Sequence, residues 1–245
     1  MRRKNGENSK NKPSIEKSTI ISKKESTVQS DKKNSKIHSL VFIAGFFLAI
    51  VLIIAPLKLI IHKEEFYKSH FIKNGAYEKL GENKTNQILD NFLLFLDGNA
   101  ELENFTVKET SHMLDVRVVL NRFFLVMNIS LIMVLLILAY LVLKGESFLD
   151  DFFKVMFMGG LIAFAIVALM FLASLNFSMT FDGFHKIFFS QGNYIFSKDS
   201  LLITLFPQEF FLDFFQKILL TSLLYSLLVM IPQFFINRIH IKYKQ

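Results

Sequence analysis

Four long apolar runs set the limits on what this chain can become. Ser39 to Ile61 covers 23 residues and Phe124 to Leu143 covers 20; Phe153 to Leu175 is apolar apart from Lys154 near its start, and Ile218 to Ile236 closes the set. Each, wound as a helix at about 1.5 Å per residue, crosses a hydrocarbon core of roughly 30 Å. An ordinary soluble domain does not carry four such runs together with 29 Phe in 245 residues. The expected fold is an all-α integral membrane protein with four transmembrane helices, at 39–61, 124–143, 153–175 and 218–236. The first run is too long for a signal-peptide core and follows a polar stretch, so it is expected to remain as an anchor.

Charge gives the expected orientation. Residues 1–38 hold eleven Lys and Arg against four acids, and Arg238, Lys242 and Lys244 follow the fourth run. The positive-inside rule then puts both termini in the cytoplasm and turns loops 62–123 and 176–217 outward. Loop 62–123 carries eight basic and ten acidic residues, so the basic balance belongs to the tails. A pI near 9.4 is no sign of nucleic acid here; membrane lipid, above all anionic headgroups, is the natural partner of the N-terminal arm. Residues 1–37 are Lys-, Ser-, Asn- and Glu-rich and too poor in apolar side chains to offset ordering entropy, which predicts a disordered basic cytoplasmic tail. The domain from 38 to 240 would then hold the four spans, with 241–245 as a cytoplasmic end. The absence of cysteine excludes disulfides, thiolate metal sites and a thiol nucleophile.

The two outer loops carry local helix signals and are expected to form an extracytoplasmic cap. Gly75-Ala76-Tyr77, Gly81-Glu82-Asn83 and Asp97-Gly98-Asn99 read as turns, and Asn86 to Leu96 has helical apolar spacing. Thr106-Val107-Lys108-Glu109 fits a capping box, opening a helix that would carry His112 and Asp115 toward the second span. In the second loop Phe177, Phe181, Phe184 and Phe188 share one helical face, the pattern of an amphipathic helix lying in the membrane interface. Phe206-Pro207-Gln208 looks like a further helix start, with proline in the first turn.

Chemistry is concentrated in two histidines on those loops. His112 and Asp115 are three apart, so on a helix the carboxylate can fix the tautomer of the imidazole and stabilise its charged form. The same spacing also suits a solvated surface pair. His185 lies beside the Phe stripe, where an imidazole can equally rest among headgroups. Asp199, Glu209 and Asp213 read as helix caps or hydrated carboxylates. No charge lies in mid-span, which argues against an ion or proton pathway. There is no G-x-S-x-G elbow, no H-E-x-x-H helix and no phosphate-cradling glycine loop. Two histidines and one carboxylate are thin support for a metal, so no cofactor and no metal is expected.

Two segments carry a resemblance. Asp97-Gly98-Asn99-Ala100-Glu101-Leu102, continued by Phe105 through Arg117, is the first; Phe181 to Phe184, His185, Phe188-Phe189, Asp199, Leu202-Ile203, Leu205, Pro207 and Phe210-Phe211 are the second. In order and topology these resemble a family of four-span membrane proteins, long labelled as of unknown function, that includes the bacterial lipoprotein intramolecular transacylases. The resemblance covers roughly residues 39–240. It departs at Tyr194, where the family usually has Trp, and at Pro207-Gln208, where the family has Pro-Glu and this chain places Glu209 one later. It implies acyl transfer within a lipid-modified protein substrate, from the sn-2 ester to the N-terminal cysteine amine. It further implies His185 as general acid/base, His112 as its partner or an oxyanion donor, and Asp115 as the group orienting His112. Arg117, Tyr194 and Asp199 are implied on the substrate-binding side. A non-enzymatic membrane protein whose cap binds lipid or a partner protein is the other reading.

Overall fold

The four apolar runs become four long helices, each starting upstream of its run. The structure is a computed structural model that describes residues 12–144, 148–189 and 192–242, and every regular element among them is a helix. In chain order these are α1 (Lys12–Ile60), α2 (Glu64–Lys73), α3 (Ala76–Leu80), α4 (Glu82–Leu96), α5 (Val107–Lys144), α6 (Phe148–Ser174), α7 (Phe177–Phe188), α8 (Leu201–Leu205) and α9 (Gln208–Lys242). Residues 1–11, the first part of the tail expected to be disordered, and 243–245, in the end expected to be cytoplasmic, lie outside the described residues. From Lys12 the backbone continues as α1. A helix already nucleated in the apolar run extends at one residue's cost per step, and Lys, Glu and Gln favour that extension.

In the bundle α6 packs against both α1 and α9, and α5 lies along α1. Small residues let the backbones approach. A Cβ at Gly159 would lie 2.7 Å from Leu48, and one at Gly160 would lie 2.5 Å from Met230 and 2.7 Å from the Ser226 carbonyl oxygen. The outward faces are apolar, as a bilayer requires: Phe46, Leu135, Leu136, Leu169, Leu172 and Leu228 are all exposed. On α5 this exposed stripe does not stop with the apolar run. Leu125, Ile129, Ile132 and Leu136 recur every three or four residues, and Val118 and Leu114 are exposed on the same face beyond a turn held by Asn121 and Arg122.

α5 has 38 residues, hence a length of about 57 Å, almost twice what the bilayer core needs. Only Phe124–Leu143 is free of charge, so the turns from Val107 to Arg122 stand outside the spanning part. α9 behaves alike: the helix start expected here forms at Gln208, with Pro207 just before the first turn and not in it, and the turns from Gln208 to Lys217 join the cap before the apolar run begins. The cap has its own core. Phe66, Tyr67 and Phe71 of α2, Ile88, Leu89, Phe92 and Phe95 of α4, and Leu205, Phe206 and Phe210 around the start of α9 are buried together. Burial of each such side chain contributes about 2 kcal/mol, so both outer loops fold as one packed unit.

The predicted turns are found at glycines with left-handed backbone. Gly75, Gly81 and Gly98 have φ of 74°, 84° and 80°, and the helices α3 and α4 begin directly after the first two. α4 therefore starts one turn earlier than its apolar spacing indicated, at Glu82 rather than Asn86.

Candidate active site

The site is built on the first turns of α5. The capping box forms as the sequence predicts: the Thr106 amide and hydroxyl both donate to Glu109 Oε2 at 2.8 Å, and the Glu109 amide donates to Thr106 Oγ1 at 3.3 Å. Glu109 has a second task that the spacing does not reveal. Its other oxygen, Oε1, accepts from the Leu202 amide at 2.9 Å, tying the second loop to the start of α5. Burial raises the proton affinity of this carboxyl, but the bonds from Leu202 and Thr106 outweigh it and hold the group below its ordinary range. His112, three residues on, is thereby presented at a fixed height and angle.

His185 comes from α7. Asn176 caps that helix by accepting from the Met179 amide at 3.3 Å. The phenylalanine stripe then packs sideways, Phe181 on Phe211 of α9 and Phe188 on Phe123 of α5. This turns the buried face of α7, and His185 with it, toward α5. The two imidazoles stack, with ring centroids 5.9 Å apart and planes 23° from parallel. Phe189 packs on both rings, Phe196 on His112, and Phe181 and Tyr194 on His185. Both histidines are buried.

Their hydrogen bonding differs. His185 Nδ1 lies 2.7 Å from the Phe181 carbonyl oxygen, an acceptor only, so Nδ1 carries the hydrogen and Nε2 keeps the lone pair. Burial lowers the proton affinity of His185 more than the Phe181 carbonyl and the nearby Asp182 raise it. His112 Nδ1 is buried and has no hydrogen-bond partner. Desolvation first, and the neighbouring His185 second, push His112 down to about 4, against smaller support from Asn193 and Asp115. The result is a pair of neutral imidazoles in an aromatic enclosure beside the membrane.

The sequence-predicted site residues divide. His112, His185 and Tyr194 come together. Asp115 does not bond His112 as the three-residue spacing suggested. Its Oδ2 accepts from Asn193 Nδ2 at 2.7 Å, because Asn193 reaches in from the segment after α7 and occupies the carboxylate first. Arg117 faces away from the histidines: Nη1 donates to the Phe95 carbonyl at 3.0 Å, and its guanidinium lies 4.5 Å from the Phe95 ring centre. The last carbonyls of α4 need donors, and Arg117 supplies one. Asp199 is exposed at an open depression of about 410 Å³, together with Asn104, Lys108 and Ser197, that neither histidine lines. Asp213, expected to cap or stay hydrated, instead pairs with His70 at 3.0 Å and Lys73 at 2.7 Å, a clasp between α2 and α9. Among the described residues no three His, Asp or Glu gather as a metal site would require. Asn193 and His70 escaped the sequence reading, since single polar residues beside aromatic runs carry no spacing signal.

A family described as lipoprotein intramolecular transacylase Lit matches residues 42–211. A search of curated protein sequences finds no match. Among solved structures, the chain is similar to the membrane integral lipoprotein intramolecular transacylase Lit from Bacillus cereus, at 19% identity and a TM-score of 0.71, covering 86% of this chain and 98% of that one. Two further structures of the Bacillus cereus protein have one histidine replaced. The arginine variant gives 19% identity and a TM-score of 0.72 over 90% of this chain and 100% of that one. The alanine variant gives 20% and 0.69 over 88% and 98%.

Proposed function

The chain belongs to the lipoprotein intramolecular transacylase Lit family, and we propose that it catalyses acyl transfer within a lipid-modified protein at the outer face of the membrane. The substrate is a lipoprotein whose N-terminal cysteine carries a diacylglyceryl group. The α-amine attacks the sn-2 ester carbonyl; a carbon–nitrogen bond forms, the ester carbon–oxygen bond breaks, and the amine proton ends on the glyceryl oxygen. Donor and acceptor sit on one molecule, so the substrate supplies their proximity and no covalent enzyme intermediate is required.

The observation that supports this most is the stacked His112–His185 pair, neutral and enclosed. His185 Nε2, its lone pair free because Nδ1 bonds the Phe181 carbonyl, takes the amine proton and returns it to the leaving oxygen. His112 stands beside it as its partner in handling that proton, and the aromatic walls exclude water that would hydrolyse the ester. The basic excess of the N-terminal arm supports an outward cap with both termini cytoplasmic.

The test is expression in a host that makes diacylglyceryl lipoproteins and lacks its own N-acylation step. Mass spectrometry of a lipoprotein's N-terminal peptide is expected to find an acyl chain on the amine with the wild type. His185→Ala and His112→Ala should each lower its formation by roughly 100-fold or more. An unchanged peptide in the presence of well-expressed wild type would replace this reading with a binding role for the cap.

A further inference from the structure

We infer that Asn193 is a positioning residue, a link through which Asp115 dictates the ring tautomer of His112. The consequence for rate rests on the acyl-transfer reading above; the geometry stands without it. Asn193 Nδ2 donates to Asp115 Oδ2 at 2.7 Å. A carboxylate only accepts, so the amide cannot be turned over, and its Oδ1 must face the opposite way. That oxygen is buried and has no hydrogen-bond partner, and His112 Nδ1 is buried without one as well. The two side chains are neighbours, since Asn193 holds Asp115, which lies one turn of α5 from His112.

Each orphan is the complement of the other. Oδ1 accepts and cannot donate, so the two match only when Nδ1 carries the hydrogen. Hydrogen bonds of this kind are often long in an empty site and tighten when the substrate arrives. His112 would thus hold its hydrogen on Nδ1 and its lone pair on Nε2. His185 reaches the same tautomer by another device, the Phe181 carbonyl 2.7 Å from its own Nδ1. The stacked rings then present like nitrogens to the substrate. Asp115 acts at one remove, which explains how a carboxylate on the same helix as His112 matters without touching it.

The experiment is nitrogen-15 NMR of histidine-labelled full-length protein in lipid bilayers, with the His112 signals assigned by their loss in His112→Gln. The wild type is expected to show the Nδ1–H tautomer at His112. Asn193→Ala, and separately Asp115→Asn, which leaves Asn193 in place but frees its amide to turn over, should bring in the Nε2–H form. In the transacylation assay both variants should lower kcat by roughly tenfold with KM unchanged. A His112 tautomer that neither variant moves overturns the inference. A tautomer that moves with kcat unaffected overturns the positioning role. A wild type without transacylase activity defeats the functional reading alone, because the tautomer is read without turnover.

Discussion

His112 and His185 owe their neutrality mainly to burial, and two pH effects follow. The attacking amine has an ordinary pKa of roughly 8, so between about pH 6.5 and 8 the logarithm of kcat/KM should climb with a slope of one. An imidazole of ordinary affinity, near 6.5, would steepen that slope below pH 6.5. Because His185 is depressed, the steepening should occur only at lower pH, which a pH–rate profile in vesicles checks. The second effect concerns stability. The folded-state value of His112, about 4, lies below its unfolded value of 6.5, so the unfolded chain binds the extra proton between them. Its contribution is intact above pH 6.5 and is lost as pH falls toward 4. Thermal unfolding of His112→Gln should accordingly show a smaller drop in Tm from pH 7.5 to pH 5 than the wild type. The pair itself was legible from sequence because each histidine sits beside a helix signal, a capping box or a phenylalanine stripe. The partners were not: Phe181 contributes a backbone carbonyl, and Asn193 meets Asp115 across 78 residues of chain.

The elements were legible where periodicity is long and hidden where two helices merge. The spans at 124–143 and 218–236 are the apolar portions of α5 and α9; the capping box at Thr106 and the start at Pro207 mark where these helices begin, but nothing marks where each passes from cap into span. Arg117 shows the cost of that ambiguity, for its destination depends on where α4 ends. Packing between spans depends on glycine. At Gly160 even a methyl group would meet the Ser226 backbone, which cannot swing aside as the Met230 side chain can. Gly160→Ala should therefore destabilise the α6–α9 pair by about 1–3 kcal/mol, while Gly183→Ala, with open space around its Cβ, should escape that clash. Denaturant unfolding in mixed micelles separates the two.

At the scale of the whole molecule, the cap and the bundle are held in register by a few polar joints set among aromatic contacts. Glu109 is one and the His70–Asp213–Lys73 clasp another. Glu109→Ala would leave the Thr106 and Leu202 amides without an acceptor and should cost about 2–4 kcal/mol, with proteolysis of the second loop as the readout. Glu109→Gln, which keeps acceptor capacity, should cost less. The exposed apolar stripe on α5 gives this arrangement its physical sense. Beyond the turn held by Asn121 and Arg122 it resumes at Val118 and Leu114 and ends two residues short of His112. Drawing a fatty tail of about fifteen methylenes out into water would cost about 12 kcal/mol, at roughly 0.8 kcal/mol each. Exposed Val118 and Leu114 leave oil close to the level of the imidazoles, so a tail reaching them would be spared part of that work of extraction.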